Sequence, residues 1–207
     1  MAPAGEMLID RLAPDPDGVR TEHAIVAGGP GAVYACVVEA DFLRAVNENR
    51  AVRSLVALRS GAERGLAALR GREPIASPPA DVLRLCDLPD EGEWVLLGED
   101  RPAEIAFGAI GRFWGGETSW ELIRRAEFEL FDRPGFAKIT CNFSLRSYGA
   151  ARTLLSYEAR TTAIGEDARR GFFRYWRVVA PFVGVVMRSQ LRAVARDAAA
   201  TAAGAGA

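Results

Sequence analysis

The chain has 207 residues, 49% of them hydrophobic, and sets 26 basic against 27 acidic side chains. That length supports one sizeable core, and one domain more readily than two. The near balance of charge excludes a global field that would recruit nucleic acid or an anionic membrane. Cys36, Cys86 and Cys141 are too few and too widely spaced for a disulfide framework or a paired-cysteine metal knuckle, so a reduced, cytoplasmic protein is expected.

Residues 1–19 read as a flexible lead. Glu6, Asp10, Asp15 and Asp17 stand among prolines, without the basic start and apolar run of a secretory signal. The stretch HAIVAGGPGAVYACV, residues 23–37, then reads as a strand that turns through glycines into a helix, with Pro30 at the first helical position. Dinucleotide-binding loops open in the same way. Counting from Gly29 and Gly31, however, the sixth position of a GxGxxG pattern is Tyr34, and no second strand follows within the roughly 30 residues that a βαβ unit requires. The glycines are therefore read as a tight turn. A second helical pattern covers residues 49–71, with Val52, Leu55, Val56, Ala62, Leu66 and Leu69 at three and four spacing. Residues 71–93, rich in proline and acid, read as a connection with at most one short turn of helix.

Strand signals follow. Two apolar runs within residues 93–114 flank GEDRPAE and predict a hairpin. After Gly115 and Gly116, residues 119–135 fit strand, helix or loop. Residues 136–147 alternate cleanly: Ala137, Ile139, Cys141, Phe143 and Leu145 share one face, and Lys138, Thr140, Asn142 and Ser144 the other. That pattern predicts a half-buried antiparallel strand. A turn at Tyr148 and Gly149 leads into another strand, ARTLLSYEARTTA. One long amphipathic helix is expected over 166–196, opened by Glu166 and Asp167, which complement the helix dipole, and kinked at Pro181 and Gly184. Its longest apolar run, residues 178–187, is shorter than the roughly 18 residues of a membrane span. No stable membrane insertion is expected, and residues 198–207 read as a disordered tail.

The order of elements, with the strings EHAIVAGGPGAVYACV, IAFGAIGRFW, RTLLSYEARTTA and RRGFFRYWRVVAPFVGVVMRSQLRAVAR, resembles the SRPBCC superfamily of START-like and plant-allergen-like proteins over residues 20–197. The closest likeness is to bacterial members grouped with polyketide cyclases and lipid-transport proteins. The resemblance implies an α+β helix-grip fold, a curved antiparallel sheet wrapped around a long C-terminal helix with an apolar cavity between them. It further implies binding of a small hydrophobic molecule such as a lipid, polyketide or aromatic metabolite. Two alternatives stand beside that: an aromatase or cyclase that uses polar cavity residues, and a protein-interaction module with a filled core.

On this fold the residues expected to contact a ligand are Ile105, Phe107 and Ala109 in the hairpin, Ile139, Cys141 and Phe143 in the alternating strand, and Phe172, Trp176, Val179 and Val183 on the helix. In the strand after the turn, Leu154, Ser156, Glu158 and Arg160 point one way and Leu155, Tyr157, Ala159 and Thr161 the other. The first set is favoured as cavity-facing, which would place a carboxylate and a guanidinium in an apolar chamber. A cyclase could then exchange protons through Glu158 or Tyr157, because burial raises a carboxyl pKa toward neutrality. Cys141 is read as a buried structural thiol, and His23, the only histidine, as a surface or core residue. With no histidine cluster and no phosphate-loop lysine, neither metal nor cofactor is expected, and no catalytic residue is assigned.

Overall fold

In this computed structural model, residues 6–42, 83–114 and 118–204 are described. The helix expected over 49–71 lies outside them. Helix α1 (Leu8–Leu12), strand β1 (Gly18–Ala27) and helix α2 (Pro30–Glu39) come first. A 3-10 turn at Leu85–Asp87 precedes β2 (Glu91–Gly92), β3 (Trp94–Asp100), β4 (Glu104–Arg112), β5 (Ser119–Trp120), β6 (Ile123–Arg124) and the single turn α3 (Arg125–Phe128). The hairpin of β7 (Ala137–Ser147) and β8 (Arg152–Ala163) leads into α4 (Glu166–Gly204). The expected hairpin is β3 and β4, and the ambiguous stretch 119–135 resolves into two short strands and α3.

The main sheet runs β1-β8-β7-β4-β3, with β5 added to β4, and every pairing in it is antiparallel. Strands β2 and β6 pair separately. The α+β arrangement is the expected one, an antiparallel sheet against a long C-terminal helix. On the inner face, Phe107, Phe143, Leu155 and Tyr157 pack with residues of α2 and with Met187, Leu191 and Val194 of α4. On the outer face, Leu12 of α1 and Phe128 of α3 pack with Val95, Leu97, Ala106 and Ile110. Strand β7 is therefore covered on both sides: Thr140 and Asn142, expected on a solvent face, are buried.

The opening turn is made by Gly28, whose φ of 107° lies where side-chain-bearing residues are strained. Its N–H donates to the Ala151 carbonyl at 2.9 Å, and its own carbonyl accepts the Thr153 hydroxyl at 2.8 Å. Gly29 is the extended residue capping α2, and Pro30 is the first helical residue. The turn reading holds, but Gly28 performs the reversal and not Gly29 or Gly31.

Helix α4 stays continuous through Pro181 and Gly184. Gly184 has a packing role. A Cβ there would sit 2.6–2.7 Å from the Arg20 guanidinium and Glu22 Oε1, so the missing side chain lets β1 cross the helix. Both ends of the chain depart from expectation. Ile9 and Leu12 bury in the sheet's outer face, so part of the supposed flexible lead is a docked helix. The alanine tail is helical as far as Gly204, because alanine favours helix and Ala198 closes on the inner core. By length and composition α4 could also cross a membrane: an 18-residue window has mean hydropathy 1.3, with 28% of it buried in the protein. The ten-residue apolar run alone did not reveal this, because Leu191, Ala193, Val194 and Ala195 resume the apolar character beyond Arg188.

Candidate functional site

Between the sheet and α4 lies a cavity of about 250 Å³. The sheet supplies Trp94 from β3, Phe107 from β4, Ile139 and Cys141 from β7, and Tyr157 and Ala159 from β8. The helix supplies Val183, Val186, Met187 and Gln190, whose three and four spacing places them on one face. Phe42 and Leu83, joined by a backbone hydrogen bond of 2.9 Å, close the cavity together with Leu85 and Leu88. Among the described residues, no lining side chain carries a charge.

Aromatic rings organise the sheet wall. Phe143 is fully buried and lies between Phe42, at 5.3 Å, and Tyr157, at 4.2 Å, in stacked arrangements. Phe107 lies 6.1 Å from Phe143 and 5.9 Å from Trp94, and Trp94 in turn tilts against Trp120 at 6.0 Å. Antiparallel register explains the cluster: Phe107 pairs with Cys141, and Phe143 with Tyr157, so their side chains share one face.

Four of the described lining residues have polar side-chain atoms: Trp94, Cys141, Tyr157 and Gln190. Burial pushes the Cys141 thiol up to about 12. Burial, together with the neighbouring Cys141, raises the Tyr157 phenol well above its ordinary value. Both therefore stay protonated and neutral around neutral pH. The side-chain oxygen of Gln190, Oε1, is buried and accepts no hydrogen bond from the described residues.

The favoured orientation of β8 is overturned. Tyr157 and Ala159 line the cavity, while Leu154, Ser156, Glu158 and Arg160 lie on the opposite face. The register is decisive, because Phe143 opposite Tyr157 and Cys141 opposite Ala159 tie the odd residues of β8 to the apolar face of β7. Arg160 instead fastens α1. It donates to Asp10 Oδ1 at 2.7 Å, to Glu158 Oε1 at 2.6 Å and to the carbonyl of Ala13 at 2.9 Å. Glu104 holds the other end of α1, accepting from the backbone N–H of Leu8 at 2.7 Å and of Ile9 at 3.1 Å. The Asn142 amide also donates to Glu104, at 2.6 Å. Exposed His23 meets the Ser156 hydroxyl through Nδ1 at 2.8 Å, away from the cavity.

Among the remaining sequence-derived contacts, Phe107, Ile139, Cys141 and Val183 come together at the cavity. Phe143 and Ile105 stand in the core behind them. Ala109 is buried but does not line it. Phe172 and Trp176 dock at the other end of α4 against Phe113, Ala137 and Ala163, where both close over Gly18. Val179 is half-buried and outside the lining. Phe42, Leu83, Leu85, Leu88, Trp94, Val186, Met187 and Gln190 were missed. Gln190 carried a legible signal, since it interrupts the apolar stripe Val183, Val186, Met187, Leu191, Val194.

No family model matches the sequence. No curated protein matches it either. Among solved structures, TTHA0849 from Thermus thermophilus is similar at 8% identity and a TM-score of 0.36, over 89% of this chain and 99% of that one. The di-domain ARO/CYC StfQ of the steffimycin biosynthetic pathway is similar at 14% identity and a TM-score of 0.33, over 90% of this chain and 53% of that one. The Zhui aromatase/cyclase from Streptomyces sp. R1128 is similar at 14% identity and a TM-score of 0.31, over 87% of this chain and 93% of that one.

Proposed function

We propose that this protein binds a small, uncharged hydrophobic molecule between its sheet and α4. The observation that carries the reading is the cavity itself: about 250 Å³ of space walled by aromatic and aliphatic side chains, with no charged group in the lining among the described residues. An engineered apolar cavity of about 150 Å³ is enough to take up benzene, so this one has room for a larger ring system. Apolar walls with few convergent polar groups are the ordinary character of small-molecule sites. The open volume also argues against the alternative of an interaction module with a filled core.

Binding is favoured over catalysis. Glu158, the carboxylate offered for proton exchange, is on the other face and paired with Arg160. Tyr157 remains at the cavity, but a phenol held in its protonated form suits hydrogen bonding and not the role of a base near neutral pH.

The direct test is titration with N-phenyl-1-naphthylamine, an uncharged dye that brightens in apolar surroundings, on protein whose cooperative melting is verified in parallel. Saturable binding is expected. Ile139→Trp, which fills the cavity from β7, should weaken it at least tenfold while leaving a cooperative melt. Absent dye binding in the folded wild-type protein sinks the proposal. Native mass spectrometry of the purified protein would identify any molecule it retains.

A further inference from the structure

We propose that the outward side of α4 docks on an anionic lipid membrane, with the helix lying in the surface and not spanning it.

Between Asp167 and Asp197 the helix carries seven arginines and no aspartate or glutamate. Arg169 is paired with Asp17, Arg170 with Glu166 and Asp167, and Arg188 with Glu22. Among the described residues, no carboxylate pairs with exposed Arg174, Arg177 or Arg192. Arg174, Val178, Pro181 and Val185 follow one another at four, three and four, so they share one side of the helix. Val178 is 65% exposed there, and Phe182, one turn beyond it, 40%. The core takes a different side of the same turns, through Val183, Met187, Leu191 and Val194.

Single exposed hydrophobic residues are ordinary on a soluble protein. An apolar ridge bracketed by unpaired cations is a more specific pattern, because the apolar groups can enter the acyl boundary while the arginines reach lipid phosphates. The whole chain is nearly neutral, so the attraction is confined to this side of α4. A second copy of the chain fits less well. Twofold packing through the ridge would set its arginines near their own counterparts with no carboxylate between them. A span is disfavoured too, since it would strip Met187, Leu191 and Val194 from the core and Arg188 from Glu22.

Sedimentation of the full chain with sucrose-loaded vesicles tests the surface. The vesicles are phosphatidylcholine alone, or phosphatidylcholine with about one-third phosphatidylglycerol, near which each arginine strengthens binding about fivefold. Partition onto the anionic vesicles should be at least about tenfold stronger than onto the neutral ones, and should weaken as salt is raised. Replacing Arg174 and Arg177 together by glutamine should reduce it by about tenfold or more, and Phe182→Ser by about tenfold. Both variants alter exposed positions, and melting curves run in parallel check that they fold. Leu130→Ser removes an 83% exposed leucine that lies off the helix, and should leave partition unchanged. Absent partition, equal partition onto the two vesicles, or partition that survives either α4 variant overturns the proposal. So does self-association, read by light scattering, that Phe182→Ser abolishes in a protein indifferent to vesicles, which would assign the ridge to a second copy. Dye titration of the cavity uses no lipid, so none of these failures touches the ligand-binding reading.

Discussion

The two faces of one sheet use side chains in opposite ways. On the outer face the charged groups that hold α1 are committed: Glu104 to two backbone amides and Asn142, Arg160 to two carboxylates and two carbonyls. On the inner face the described lining is uncharged and surrounds an open volume. Residues of conspicuous chemistry therefore fasten the structure, and residues of bland chemistry surround the space a ligand could occupy. Charge within a strand pattern is no guide to a site until its partners are known.

The largest effect expected is on the inner face. Phe143→Ala removes a fully buried ring stacked between Phe42 and Tyr157, and chemical denaturation should register a loss of about 3–5 kcal/mol. Dye affinity should fall as well, because the ring supports the cavity wall. A loss of stability with unchanged affinity would detach the aromatic stack from the proposed site.

Arg160→Ala tests the outer face and should separate the two. The side chain is 14% exposed and its loss leaves Glu158, Asp10 and the Ala13 carbonyl without their donor. An effect of about 2 kcal/mol is expected, between an exposed pair and a fully buried one. Dye affinity should change less than about twofold, the scatter left by an outer-face change that touches no described lining residue. A fall in affinity matching the fall in stability would break the division between the faces.

Much of this architecture could be read in the sequence, and the reasons differ by element. The alternation of residues 136–147 placed Ile139, Cys141 and Phe143 on one face, because that face of β7 is almost wholly apolar, although Phe143 packs behind the cavity lining. Strand β8 has no such contrast: Leu154 and Leu155 lie on opposite faces, and Arg160 is drawn to α1 by a helix 150 residues earlier in the chain. Its orientation follows from pairing across the hairpin, where Ser147 opposes Thr153 and every later pair keeps odd residues with odd. Helix α1 escaped notice because five residues give no period to detect. Gln190 escaped because a lone polar residue in an apolar stripe reads as a flaw in the pattern until the cavity beside it is seen.

Acid titration should find the paired carboxylates of β1 and β3. Burial pushes the Glu22 carboxyl up, but hydrogen bonds from Arg188 and Arg20 outweigh it and the net shift is downward. Glu99 is likewise lowered, chiefly by Arg101, against burial and with help from the Tyr34 hydroxyl at 2.9 Å. A lowered folded value means that the stabilisation is present above the unfolded carboxyl pKa of about 4.3 and is lost as pH falls through the folded value. Stability should therefore drop below about pH 4, and Glu22→Gln should make that drop shallower. An unchanged acid limb in Glu22→Gln would remove the β1–α4 ion pair from the account.

Alkaline titration should find the inner face. Cys141 is raised to about 12 by burial, and Tyr157 moves in the same direction for the same reason. In the unfolded chain a thiol ionises near pH 8.5 and a phenol near 10. Between those values and the folded ones the unfolded state releases protons that the native state keeps, so the stabilisation is complete below about pH 8 and declines as pH rises toward 12. For one proton the slope cannot exceed about 1.4 kcal/mol per pH unit. Cys141→Ala should flatten the early part of this decline, and Tyr157→Phe the later part. Glu22→Gln should leave both unchanged, since its group titrates at the opposite end of the range. Bound naphthalene, which has no group that titrates, should add stability by mass action at pH 7 and at pH 10 alike, because the cavity keeps its protons at both. If binding instead collapsed near pH 9 with the protein still folded, the thiol would be ionising in the native state and the inner face would not be the closed, neutral surface that its geometry describes.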